Sequence, residues 1–300
     1  MKAAPFEYHR PGSVKEAAEL LAEYGDDAKV LAGGQSLVPM LAMRLTHFEN
    51  LIDISRVAEL QGIDLDGDDV VIGAGTPHAF VGMDDEVAES APLLTLTTPH
   101  IGHFQIRTRG TLGGAIAHAD PAAEYAAVAL ALDAQMDAVS TRGARQIAAS
   151  EFFTGLWETS LAADEILTAV RFPVWGGRTG FAIEEFARRH GDFAIAGAVV
   201  AVEVDGDDRI ARCGIGLLGL GSTPVRGSAG EDAILGRPVT ELSADEIGRL
   251  TMSALDDVPA DLQGSASYRR RVGAAMVSRA LHSAIAEATS DEKTEVTLSA

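Results

Sequence analysis

The chain has 300 residues, 47% of them hydrophobic and 5% aromatic, an ordinary globular composition with material for about two domains at ~150 residues each. Its formal net charge of -20 argues against nucleic acid or an anionic membrane surface as partner. The single cysteine, Cys213, excludes an internal disulfide and an iron–sulfur cluster or structural zinc held by this chain alone, and it reads as a buried, inert thiol.

SVKEAAELLAEYG at 13–25 has the marks of a helix: Ser13 and Glu16 form a capping box, Ala and Leu recur at helical spacing, and Gly25 stops it. KVLAG then reads as a strand, LVPMLAMRL as a short helix with Pro39 in its first turn, and LIDIS as a second strand. GIDLDGDDVVIGAGTP predicts a hairpin with DG turn chemistry. Thr76-Pro77 starts a helix, and a Gly-Gly loop at 113–114 leads to Asp120-Pro121, an Ala-rich helix and a strand near 135–140. RGARQIAASEFFTG and DEILTAVRFPV alternate as strands do. VWGGRTG at 174–180 is the expected linker. Beyond it FAIEEFARR reads as helix or strand, a hairpin turns at Asp205-Gly206, and two helices follow, the first with a Ser243/Glu246 capping box. The expectation is an α+β chain: a first domain over 1–175 in two subdomains (about 1–55 and 56–175), a smaller one over 176–288, and a flexible tail at 289–300. No apolar run reaches the ~20 residues that span a bilayer, and MKAAPFEYHRPGS lacks the apolar stretch of a secretory signal, so a cytoplasmic location without membrane insertion is expected.

Three elements resemble ligand motifs. GIGLLG at 214–219 fits G-x-G-x-x-G, but a hairpin arm precedes it and a loop with Pro224 follows, where a dinucleotide fingerprint needs a helix. AGGQS at 32–36 has a strand before and a helix after. Its glycines let backbone N–H groups turn toward an anion and Ser36 adds a hydroxyl, while the absence of a GK[ST] arrangement rules out a nucleoside triphosphate P-loop. TLGGAIAHADPAAE at 111–124 is a second Gly-Gly element, with Thr111, His118, Asp120 and Glu124 at hand; two such cradles suit a diphosphate flanked by sugars. His100, His103 and His118 lack a matching carboxylate or cysteine for metal binding. The arginine runs at 188–189 and 269–271 read as solvated or salt-bridged faces.

Together these segments resemble the FAD-binding (medium) subunit of the molybdenum hydroxylases, the carbon monoxide dehydrogenase and xanthine dehydrogenase family. The resemblance runs from PFEYHRPGSVKEAAELL through VLAGGQSLVPMLAMRL, IGHFQIRTRGTLGGAIAHADPAAE and RRHGDFAIAGAVVAV to the YRRRV helix. It implies a two-subdomain FAD-binding domain of the vanillyl-alcohol oxidase (PCMH) type, followed by an antiparallel sheet with helices. It further implies that Ala32, Gly33, Gly34, Gln35, Ser36 and Leu37 wrap the FAD pyrophosphate, and that Thr111, Gly113 and Gly114 complete the cradle. Asp120 or Glu124 would bind ribose or adenine-side hydroxyls, and Ile101 and Leu167 would pack near the flavin or adenine. Ala115 stands where the family usually carries Asn, which removes a side-chain hydrogen bond of about 1 kcal/mol. The implied role is electron transfer on FAD to an external acceptor. A large molybdopterin subunit and a small subunit with [2Fe–2S] clusters would be the partners, as a dimer of heterotrimers. A self-sufficient FAD-dependent oxidase or reductase of the same fold is the alternative.

Overall fold

The structure, a computed structural model, describes residues 2–290; the expected tail lies outside the described residues from position 291 onward. Strand β1 (Glu7–His9), helix α1 (Val14–Tyr24), β2 (Ala28–Leu31), α2 (Leu37–Met43) and β3 (Asn50–Asp53) build a parallel sheet in the order β1-β3-β2. Ser13 Oγ accepts from the Glu16 N–H at 3.1 Å, and Glu16 reaches back to the Gly12 N–H at 2.7 Å, one residue beyond the reciprocal bond of a capping box. Gly25, at φ 53, ends α1. β1 was not foreseen: three residues are too few for a period, and pairing with β3 defines it. In a parallel sheet all strands finish at one edge, where ligands sit. β2 finishes there at Leu31 and opens directly into AGGQS.

Hairpin β4 (Ile63–Asp66) and β5 (Asp69–Gly73) is followed by short helices α3 (His78–Val81), α4 (Asp85–Ser90), α5 (Pro92–Thr97) and α6 (Phe104–Arg107). Then come α7 (Leu112–His118), α8 (Glu124–Ala131), β6 (Gln135–Ser140), β7 (Gly143–Ala148), α9 (Ala149–Phe152), β8 (Phe153–Gly155), β9 (Glu158–Thr159) and β10 (Ile166–Pro173). β4-β5-β10-β6-β7 form an antiparallel sheet, and β6 alternates buried and half-buried residues as its sequence predicts. The expected loop at Gly113-Gly114 is instead the first turn of α7. Thr111 caps that helix by accepting from the Gly114 N–H at 3.0 Å, which draws both glycines into it.

Strands β11 (Arg178–Phe186), β12 (Ala196–Val204), β13 (Ile210–Leu218) and β14 (Val225–Arg226) make a third, antiparallel sheet. Helices α10 (Ser228–Ile234), α11 (Ala244–Ser253) and α12 (Ala266–Ala288) follow; α10 was not foreseen. The expected linker is shorter than its sequence suggests, because β11 already begins at Arg178. Trp175 is buried within it, and the Arg212 guanidinium lies 3.9 Å from its ring centre.

Helix α8 joins the two halves. Every residue from Tyr125 to Ala131 is buried, and the alanines keep the helix thin. Gly214 and Gly216 on β13 meet it backbone to backbone: a Cβ there would stand 1.9 Å from Ala131 O and 2.0 Å from Ala127 O. The glycines of GIGLLG therefore serve close helix–sheet packing rather than a nucleotide turn. One apolar core runs across the join, from Val70, Leu112 and Phe172 to Phe181, Val199 and Leu218. Cys213 is buried, and desolvation pushes its thiol well above the usual range, as befits an inert group.

Candidate functional site

The loop after β2 is an array of unspent donors. The N–H groups of Ala32, Gly33, Gly34, Gln35, Ser36 and Leu37 meet no acceptor among the described residues, and neither does the Ser36 hydroxyl. Gln35 Nε2 donates to Gly33 O at 3.2 Å, closing the loop on itself. The loop is half-buried, so water is the only competitor for these donors. Each glycine has its own reason. Gly34 takes φ +71, a left-handed conformation that costs any other residue. Gly33 lies so close to the chain before α7 that a Cβ would stand 2.0 Å from Arg109 O and 2.7 Å from Gly110 Cα.

The two Gly-Gly elements, 80 residues apart, are thus in direct contact. A Cβ on Gly114 would come within 3.4 Å of Ala32 Cβ, and one on Gly113 within 2.3 Å of Ala74 Cβ. Their parts differ from the symmetric pair expected. The N–H groups of Leu112, Gly113, Gly114 and Ala115 are spent on Thr76 O, Ala74 O, Thr111 Oγ1 and Thr111 O. The second element therefore offers a close backbone floor, and the first offers the donors. Ala115 sits half-buried on α7, where its methyl cannot replace the bond of an Asn.

Beyond α7 the chain carries acids. Ala119 turns it at φ 55. Both oxygens of Asp120 are engaged, by the Ala122 N–H at 2.9 Å and the Trp157 Nε1–H at 3.2 Å, while the Trp157 ring stacks near His118. Desolvation, with Lys29 nearby, lowers His118 against the pull of Asp120. Glu124 opens α8, half-buried as a residue but with its carboxyl withdrawn from water. Withdrawal from water and then the neighbouring Glu185 push it up to about 8 from 4.5, against one hydrogen bond from its own N–H. His100 does not gather with His103 and His118: its Nδ1 stands 3.4 Å from Glu185 Oε2, and His103 lies against His190. Ile101 and Leu167 are 8% and 5% exposed and belong to the shared core.

The folded value of Glu124 exceeds the unfolded one. Its contribution to stability is whole below about 4.5 and is lost as the pH rises through about 8. Glu124→Gln removes that loss. Its melting temperature matches the parent near pH 5 and exceeds it by several degrees at pH 8.5, about 2 kcal/mol once solvent access to one side is allowed for. A constant difference between those pH values contradicts this burial of Glu124.

Residues 4–175 match the family described as FAD binding domain in molybdopterin dehydrogenase, and residues 181–284 match the CO dehydrogenase flavoprotein C-terminal domain. The chain belongs to the FAD subunits of the molybdenum hydroxylases. Caffeine dehydrogenase subunit beta of Pseudomonas sp. (strain CBB1) is 40% identical over 283 residues, 94% of this chain and 95% of that one. The alpha subunit of the 6-hydroxypseudooxynicotine dehydrogenase complex of Paenarthrobacter nicotinovorans is 39% identical over 285 residues, 95% of this chain and 96% of that one. Among solved structures, carbon monoxide dehydrogenase from Hydrogenophaga pseudoflava superposes with a TM-score of 0.92 at 37% identity, covering 96% of this chain and 99% of that one. The molybdenum-hydroxylase FAD subunit described here is accordingly part of an oxidoreductase, its cofactor is FAD, and its α+β fold is that of the family.

The residues present fit that cofactor. Six consecutive amides and a hydroxyl suit the many acceptor oxygens of a diphosphate, and the packed glycines leave room for it at the backbone. Glu185 was missed from sequence. Its one signal is that Glu184 and Glu185 are adjacent on a strand, so the two side chains leave on opposite faces and one must turn inward. Among the described residues no helix is long and apolar enough to cross a membrane.

Proposed function

We propose that this subunit carries electrons on FAD, taking them from [2Fe–2S] clusters of a small partner subunit and passing them to an external acceptor. A large subunit with a molybdopterin centre performs the substrate chemistry, and the assembly is a cytoplasmic dimer of heterotrimers. The observation that supports this most is the lone cysteine, buried and unreactive. The chain holds no cluster of its own yet matches proteins named as subunits over nearly their whole length.

In this reading the amides of Ala32–Leu37 and the Ser36 hydroxyl bind the pyrophosphate, Thr111, Gly113 and Gly114 form the floor, and Ile101 and Leu167 back the rings. Of the two candidate acids, Glu124 is better placed to accept from a cofactor hydroxyl, because both oxygens of Asp120 are already engaged. FAD supplies the redox chemistry; the chain supplies position, polarity and exclusion of water.

Purification from the native host through a tag on this chain tests the assignment. Molybdenum, iron and FAD are expected to co-elute with two further polypeptides. A chain that elutes alone, holds FAD and turns over a substrate without iron or molybdenum would establish the self-sufficient flavoenzyme instead.

A further inference from the structure

Glu185 is a buried acid whose Oε2 accepts no hydrogen bond among the described residues, its nearest charged neighbour being the half-exposed His100. Its side chain is 6% exposed. His100 Nδ1, at 3.4 Å, is near enough to interact but does not bond to it. The described groups around it supply no arginine or lysine donor. Glu124, from the N-terminus of α8, is a second carboxyl, Asp120 adds its charge to Glu124, and no arginine or lysine among the described residues pairs with Glu124 or Glu185. Buried acceptors are satisfied almost without exception, and one left open points to a donor from outside the chain.

The position of the pair indicates which donor. Gly114, in the first turn of α7, packs against Ala32 of the donor loop, and the seven residues of α7 span ~10 Å toward Asp120 at 1.5 Å per residue. Tyr125, next to Glu124, is joined through its hydroxyl to Thr98 at 2.5 Å, and that turn continues into His100 and Ile101. The acids thus lie one short helix away from the phosphate loop, at the join of the two halves.

We propose that Glu185 is a further FAD-contacting residue: its open oxygen accepts a hydrogen bond from an N–H or O–H of the flavin half, and its charge opposes reduction of the cofactor. This rests on the placement of FAD described above. Two-electron reduction with uptake of one proton leaves the flavin with one more negative charge, and the electrons come from an iron–sulfur partner. A carboxylate beside the ring therefore favours the oxidised form. Glu124, held protonated at neutral pH, adds no second charge and can itself donate.

Glu185→Gln in the purified complex tests this, with FAD content and the two-electron midpoint potential at pH 7 as readouts. The variant is expected to retain FAD while its preference for the reduced over the oxidised cofactor rises about tenfold, an upward shift of about 30 mV. Glu185→Asp, which keeps the charge, should stay within about twofold of the parent. An unshifted potential at full FAD content overturns the proposal. The cofactor-free chain supplies a control independent of turnover. Losing a buried charge that accepts no hydrogen bond at Oε2 should leave the melting temperature of Glu185→Gln at or above the parent's, and a clear fall would show that His100 or another group holds it structurally and also overturn the proposal. A parent complex that holds no FAD refutes the cofactor placement itself, a result distinct from an unshifted potential.

Discussion

Gly33→Ala leaves the chain folded and weakens FAD binding about a hundredfold, so that the purified complex loses most of its flavin. The magnitude follows from what the new methyl meets. It would sit 2.0 Å from Arg109 O, and backbone on that side is held by the bonds from Gly110 N–H to Ile106 O and from His78 N–H to Gly110 O. Nothing there can rotate aside, so the loop at 32–37 must lift away from the floor and its amides lose their aim. Overpacking of this kind costs about 1–3 kcal/mol, and the upper part of that range is about a hundredfold in affinity. Gly34→Ala acts by another route. Its methyl meets side chains that can adjust, Val38 Cγ2 at 3.0 Å and Leu31 Cδ1 at 3.2 Å, and the main cost is the left-handed backbone, about 1–2 kcal/mol. Flavin released on denaturation, measured against protein, ranks the two, and circular dichroism confirms that both fold. Full flavin content in Gly33→Ala would remove the loop from the cofactor site.

The donor loop was legible because everything it needs is local. A strand, two glycines, a small polar residue and a helix follow one another within ten residues, and each local preference points to the same turn. The second element was legible as a partner but misread in form. A Gly-Gly pair carries no sign of whether its amides are free, and the Thr111 cap that spends them becomes visible only once α7 exists. GIGLLG was correctly set aside on context, yet the reason for its glycines, contact with Ala127 and Ala131, lies more than 80 residues away and has no local trace. Glu185 was invisible for the same reason. On a strand of mixed burial, either of two adjacent glutamates can be the inner one, and only the packing of α5 and α12 on β11 settles which.

The join of the two halves also changes what the domain boundary means. Sequence composition places a break near VWGGRTG, and the family matches divide there as well. Physically the break is covered: Trp175 is buried beneath Arg212, and α8 belongs to the first half in sequence while lying on the sheet of the second. A core shared in this way makes relative motion of the halves costly. Groups placed in the seam from opposite sides, Glu124 and Glu185 among them, are therefore held at a fixed separation.

Arg269→Met lowers the melting temperature by about 10 °C and loosens this seam. The run RRR at 269–271 looks like a solvated face, but Arg269 is 4% exposed. Its Nη1 donates to Ile195 O and to Gly219 O, the latter at 3.0 Å, and Nη2 donates to the Asp261 carboxylate at 2.7 Å. Gly219 N–H in turn donates to Pro121 O at 2.9 Å, in the turn between Asp120 and Glu124. The guanidinium thus fastens α12 to the end of β13 and, through Gly219, to the start of α8. Methionine fills a similar volume and leaves two buried carbonyls without this donor, so the loss is about 3–5 kcal/mol, at roughly 2–4 °C per kcal/mol for a chain of this size. Arg269→Lys separates charge from geometry. One ammonium cannot span two carbonyls and a carboxylate as a planar fork does, so lysine should recover about half of the loss. FAD retention should fall in the same order, arginine above lysine above methionine, because Pro121 lies in the turn between Asp120 and Glu124, the two acids proposed for the cofactor site. A methionine variant melting within 2 °C of the parent would show that water satisfies those carbonyls, and the fastening role would have to be given up.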